Sequence, residues 1–163
     1  MNDEPGRLLI AWHSRTGASE AMAQAAAEGA GDVARLMPAD AVAPDDLLAA
    51  AAYLFVCPEN LAAMSGAMKE MFDRCYYPVL GRIEGRAYAT IIAAGSDGEG
   101  AQRQIDRIAK GWRLRRVQDP VIECFDAQTP EAILAPKTVS QDRRDRCREM
   151  GAALAEGIAL GVF

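Results

Sequence analysis

The chain has one histidine, His13, and four cysteines, Cys57, Cys75, Cys124 and Cys147, with no CxxC pair among them. That scatter argues against a zinc knuckle or a thioredoxin-like redox motif and suits a reduced, cytoplasmic protein. A lone histidine leaves no Ser-His-Asp or Cys-His set to assemble, so no catalytic side chain is singled out and no metal site is expected. Long apolar runs are missing too. No stretch approaches the roughly 20 residues that span a bilayer, which predicts no membrane insertion. Residues 1–6 are polar and acidic, and the apolar run behind them covers only residues 8–12, which is not the pattern of a secretory signal. An excess of positive charge is also missing: 23 acidic residues outnumber 18 basic ones, and the net charge of −5 and pI near 4.9 predict repulsion of nucleic-acid backbones, with Arg113, Arg115 and Arg116 as a local exception.

What is present is half apolar and, at 163 residues, fits one domain spanning 1–163. Residues 7–12 read as a short buried strand and 19–28 as an Ala-rich helix ended by Gly29 and Gly31. A second strand over 32–37 and a brief helix over 45–51 lead to an apolar strand over 52–57, closed by Pro58. Ser65 is placed to cap a helix whose stripe Met68, Met71, Phe72, Cys75 follows the helical period. Residues 86–94 form another buried strand, followed by a helix with Ala101, Ile105, Ile108 and Trp112 inward. Residues 114–125 are strand-like but broken by Pro120, and 140–160 make the last helix, with Cys147, Met150, Leu154 and Ile158 inward. The abundant alanine lets helices pack closely on a sheet. Such alternation predicts an α/β fold, a five-stranded parallel sheet doubly wound with helices on both faces. Ligands of such sheets sit outside the carboxyl ends of the strands, which directs attention to the loops after Trp12, Cys57 and Ala94.

The first of these loops runs His13, Ser14, Arg15, Thr16, Gly17, Ala18, Ser19 from a strand into a helix. It combines hydroxyls on Ser14, Thr16 and Ser19 with a glycine and the free N–H groups of a helix start, a set suited to a phosphate monoester. A hydroxyl-rich turn can also serve simply as a helix cap, which needs one hydroxyl. The string resembles the flavodoxin signature, strand-x-Ser-x-Thr-Gly-x-Thr/Ser, which in that family holds the phosphate of flavin mononucleotide (FMN). Ser14, Thr16, Gly17 and Ser19 match it. Ser19 stands where Thr is commoner, and Ala18 replaces a residue that is often polar; backbone donors survive both changes. No GxxxxGK[ST] or GxGxxG string occurs in the loop, which weighs against ATP, GTP or a tightly held dinucleotide.

The second loop holds Pro58, Glu59 and Asn60 and runs on to Ser65, Gly66, Lys69, Phe72, Asp73 and Arg74. It is similar to the corresponding region of NAD(P)H-dependent FMN reductases and flavodoxin-like quinone reductases. The third holds Gly95, Ser96, Asp97 and Gly98 and resembles that family's second ring-binding loop. The resemblance covers residues 7–112 and implies FMN as cofactor, the strand order 2-1-3-4-5, and Ser14, Arg15, Thr16, Gly17, Ala18, Ser19, Pro58, Glu59, Asn60, Gly95, Ser96, Asp97 and Gly98 as cofactor-binding residues. Lys69 is expected on the helix surface, His13 as a residue that shapes its loop, and Asp97 either at a flavin N–H or as a helix cap. Neither ring loop carries an aromatic. Tyr76 and Tyr77 are candidates to approach from elsewhere.

The resemblance implies an oxidoreductase that passes electrons from NAD(P)H to a quinone, flavin or similar small acceptor, in the manner of a homodimeric reductase. The alternatives are an electron carrier between protein partners and a flavin-free binding module. For residues 113–140, which the resemblance leaves unplaced, substrate access or a dimer contact is the expectation.

Overall fold

The computed structural model describes residues 6–163; the polar start of the chain before Gly6 lies outside the described residues. In chain order the elements are β1 (Arg7–Trp12), α1 (Ala18–Ala30), β2 (Ala34–Pro38), α2 (Pro44–Ala49), β3 (Ala50–Asn60), β4 (Ala63–Met64), α3 (Gly66–Val79), β5 (Ala87–Ala94), α4 (Glu99–Gly111), β6 (Arg115–Arg116), β7 (Val121–Cys124), α5 (Pro130–Leu134) and α6 (Gln141–Leu160).

The sheet is parallel along the path β2-β1-β3-β5-β6, with β7 also pairing with β5 beyond the break at Pro120. β6 and β7 are therefore two halves of the fifth strand position, since β6 pairs with the start of β5 at Ala87 and β7 with its end at Ala94. Apart from β4, the order is the expected 2-1-3-4-5. Proline cannot donate to a ladder, and Pro120 sits where the ladder is interrupted.

Side chains alternate across the central strands. Leu8, Ile10, Leu54, Val56 and Ile91 face α1 and α6, where Met22, Ala26, Met150 and Leu154 complete one core layer. Leu9, Tyr53, Phe55 and Ile92 face the other way, onto Met68, Met71, Phe72, Ile105 and Trp112. β5 is buried along its full length, as expected of a central parallel strand covered on both sides.

Several boundaries differ from the sequence reading. α1 continues through Gly29, which packs against the α6 backbone rather than ending the helix. A 3₁₀ turn over Gly31–Val33 delays β2 to Ala34. β3 does not stop at Pro58: it continues to Asn60 because Glu59 and Asn60 pair with β4 in an antiparallel hairpin. Ser65 occupies the N-cap position of α3, yet its hydroxyl is used elsewhere and makes no capping bond.

Candidate functional site

A cleft of about 340 Å³ opens at the carboxyl ends of β1, β3 and β5, the place predicted for a ligand of a doubly wound sheet. Its size falls at the lower end of the usual range for small-molecule sites. Arg15, Thr16 and Ala18 line it from the first loop, residues 58–62 from the β3–β4 turn, and residues 93–96 from the end of β5. Pro58, Glu59, Asn60, Gly95 and Ser96 thus meet the first loop in one depression. Ser14, Gly17, Ser19, Asp97 and Gly98 do not line it.

The first loop is built by its own chemistry. Gly17 donates its N–H to the Ser14 hydroxyl at 3.0 Å, and Gly17 itself has φ +97°, a conformation that favours glycine. Gly17 is the N-cap of α1 and brings no side chain, so the N–H groups of the first helical turn remain available to an anion. Ser14 therefore holds the turn. Ser19 is 1 % exposed, and its hydroxyl is the one buried side-chain polar atom among the described residues that lacks a hydrogen-bond partner. Leaving such a group unpaired costs about 1–3 kcal/mol.

His13, just ahead of the loop, shares a 2.8 Å hydrogen bond between Nδ1 and the Ser65 hydroxyl, tying the end of β1 to the start of α3. It shapes the site as expected. Burial pushes its pKa below the ordinary 6.5; Asp40 opposes this and Arg15 adds to it. The unfolded chain thus takes up this proton at a higher pH than the folded one. The stability contributed by the neutral imidazole is complete above about pH 6.5 and is lost as the pH falls below it. His13→Gln is expected to lose less stability than the wild type between about pH 7.5 and about pH 5, read as the shift in denaturation midpoint.

Glu59 joins the second loop to the third. Its Oε1 accepts the Gly98 N–H at 2.9 Å and its Oε2 the Ala101 N–H at 3.1 Å, so one carboxylate caps α4 with both oxygens. The start of α4 is thereby closed to other anions, whereas that of α1 stays open. Between β3 and β4, Leu61 and Ala62 form a two-residue turn with φ of +53° and +62°. Positive φ at both positions is the hairpin geometry that normally selects Asn-Gly. Leu61 is fully exposed at the tip, and strain held this way is characteristic of functional loops. A Cβ on Gly100 would strike the Ala62 carbonyl, so glycine lets this turn rest directly on α4.

Asp97 is exposed and accepts from the Glu99 N–H at 3.4 Å, next to the N-cap Gly98 of α4. Lys69 pairs with Asp73 on the surface of α3. Tyr76 stacks on Trp112 and Tyr77 is 79 % exposed; neither lines the cleft.

The last wall comes from the segment for which the sequence reading gave no counterpart. Phe125, Ala127, Ile133 and Lys137 line the cleft. This strap is anchored at both ends: Ala127 donates to the Gly95 carbonyl at 3.3 Å and Lys137 to the Thr16 carbonyl at 2.8 Å. Arg143 lies 4.3 Å from the centroid of the Phe125 ring and donates to the Cys124 carbonyl, steadying the end of β7. The clue in the sequence was Pro120: a parallel strand resuming after it ends at Cys124, on the same rim as Trp12 and Ala94.

Fold and cleft together define a doubly wound protein with an uncapped helix start at its first loop and two further loops facing it. No protein-family model matches the chain. It is 29% identical over 166 residues to a flavodoxin of Aquifex aeolicus (strain VF5), covering 96% of this chain and 89% of that one. Among solved structures it superposes on a flavodoxin from the domain Archaea with a TM-score of 0.76 at 16% identity, over 94% of this chain and 99% of the other. A flavodoxin, WrbA-like protein from Agrobacterium tumefaciens gives a TM-score of 0.69 at 18% identity, over 95% and 98%. The chain has the fold of the flavodoxins and is similar in sequence to one of them over 96% of its length, so the likeness extends well beyond residue 112. Among the described residues no helix is long and apolar enough to cross a membrane, and no cluster of side chains could hold a metal ion.

Proposed function

We propose that this single-domain chain binds FMN and serves as an electron-transfer protein, with the phosphate on the loop from Ser14 to Ser19 and the flavin ring between residues 58–62 and 95–98. The observation that carries the reading is the buried, unpartnered Ser19 hydroxyl beside an uncapped helix start. Bound FMN would supply electron-transfer chemistry at its ring, while the protein supplies binding and orientation. Ser14 fixes the loop for the phosphate through Gly17. Thr16, Ala18 and Arg15 form its open side. Glu59 keeps the two ring loops together, and Gly95 and Ser96 present main chain to the ring edge. Asn60 and Pro58 close the opposite edge.

Exposed Leu61 and Ile133 stand on the rim, an apolar border that suits docking of a redox protein partner. This favours a carrier. The second reading, a reductase that takes hydride from NAD(P)H and passes electrons to a quinone, is favoured by the lack of any aromatic side chain on the two ring loops to cover the ring face. The four unpaired thiols suit the cytoplasm.

An absorbance spectrum of the fresh protein and an FMN titration test the cofactor. Colourless protein that does not quench FMN fluorescence would falsify the proposal. Oxidation of NADPH only with an added partner reductase supports the carrier, and oxidation with a quinone alone supports the reductase. Ser19→Ala is expected to weaken FMN about five- to tenfold while leaving the apoprotein as stable or more so, because it removes an orphan hydroxyl along with a ligand contact. Fluorescence titration and apoprotein melting read the two effects separately.

A further inference from the structure

We propose that Lys137, carried by the strap between β7 and α6, is a phosphate-selecting cation of the cofactor site, acting with Arg15; this rests on the FMN reading above. Lys137 is bonded through its N–H to Thr16, in the middle of the phosphate loop, and lines the cleft together with Arg15, Thr16 and Ala18. A Cβ placed on Gly17 would lie 3.7 Å from the Lys137 carbonyl, so strap and loop are in contact along the turn that faces the anion.

The ammonium is held in place without a negative charge. Its Nζ donates to the carbonyls of Ala132 at 2.7 Å, Ile133 at 3.2 Å and Ala135 at 2.7 Å, at the end of α5. Among the described residues neither Lys137 nor Arg15 has a carboxylate within ion-pair distance, although the chain carries a net charge of −5. Arg15 on the first loop and Lys137 on the strap line a cleft whose one carboxylate, Glu59, is held by the Gly98 and Ala101 N–H groups, and two such cations match the charge of a phosphate monoester, which is close to −2 near neutral pH. These bonds occupy all three donors of the Lys137 ammonium, so it acts on the phosphate as a point charge through space, and the half-buried setting raises the value of that charge over what it has in open water.

The test compares FMN with riboflavin, which has the same ring and no phosphate, on wild type, Lys137→Gln and Lys137→Arg by flavin fluorescence quenching at low and high salt. Lys137→Gln is expected to weaken FMN about tenfold, leave riboflavin unchanged and flatten the salt dependence of FMN binding; Lys137→Arg is expected to retain most of the affinity. Equal losses for FMN and riboflavin would show that the lysine only props the strap against the ring and would overturn the inference. So would FMN affinity unchanged in Lys137→Gln. If wild-type protein binds neither flavin, the FMN reading falls and this inference with it, whereas FMN binding by wild type with an indifferent Lys137 removes the inference alone.

Discussion

Gly151→Ala is expected to destabilise the fold by about 1–3 kcal/mol, and Gly151→Leu by more than about 3 kcal/mol, because both push a side chain into backbone. Gly151 lies buried in α6, and a Cβ there would collide with the Ala26 carbonyl of α1. The reciprocal contact is made by Gly29, whose Cβ would collide with the Arg148 carbonyl. The two helices therefore meet with their backbones in contact, and neither carbonyl can yield without moving its helix. Helix propensity alone predicts the opposite sign, since alanine is favoured over glycine by about 1 kcal/mol in a helix interior. A fall in the urea midpoint at unchanged slope supports the close crossing; a rise of about 1 kcal/mol in stability refutes it. Because α1 begins at the phosphate loop, FMN affinity should fall in the same variant.

That crossing illustrates the limits of what was legible beforehand. The alanine content announced helices packed closely on the sheet but not this glycine crossing; the apolar runs located the strands, because buried parallel strands must be continuous in apolar residues, and the strand order came from the resemblance. Gly29 was misread as a helix end, since a glycine that stops a helix and one that admits a neighbouring backbone are identical until the neighbour is known. β3 was cut short at Pro58 for a similar reason. A proline that need not donate passes unnoticed at a strand's outer end, and the hairpin with β4 depends on Leu61 and Ala62 adopting positive φ, which neither residue type signals.

Of the candidate site, the loop from Ser14 to Ser19 was readable because phosphate chemistry demands recognisable residue types at fixed spacing. The strap was not. Its backbone bonds to Gly95 and Thr16 are indifferent to side-chain identity, and Phe125 and Lys137 reach the cleft through topology across more than a hundred residues of chain separation. Glu59 was marked for the cofactor because of where it falls in its loop. The structure gives both of its carboxylate oxygens work within the protein.

Glu59→Ala is therefore expected to cost about 2–3 kcal/mol of stability, most of it from α4, rather than merely removing a ligand contact. Two hydrogen bonds to a carboxylate are lost, each contributing about 1.5–3 kcal/mol when well formed, and the half-exposed position reduces the sum. Loss of the negative charge at the start of α4 adds a smaller helix-dipole contribution. The N–H groups of Gly98 and Ala101 are then free, and water can satisfy them only by entering between the two ring loops. Glu59→Gln keeps one good acceptor and should lose about half as much. For binding, the distinction lies in which ligand suffers. The ring loops separate when Glu59 is removed, so riboflavin and FMN should weaken together, whereas Ser19→Ala and Lys137→Gln weaken FMN alone. Parallel titrations of the three variants with both flavins, alongside denaturant melts of each apoprotein, separate a residue that fastens the ring pocket from residues that hold the phosphate. FMN weakened by Glu59→Ala with riboflavin unaffected would contradict the fastening role assigned to this carboxylate.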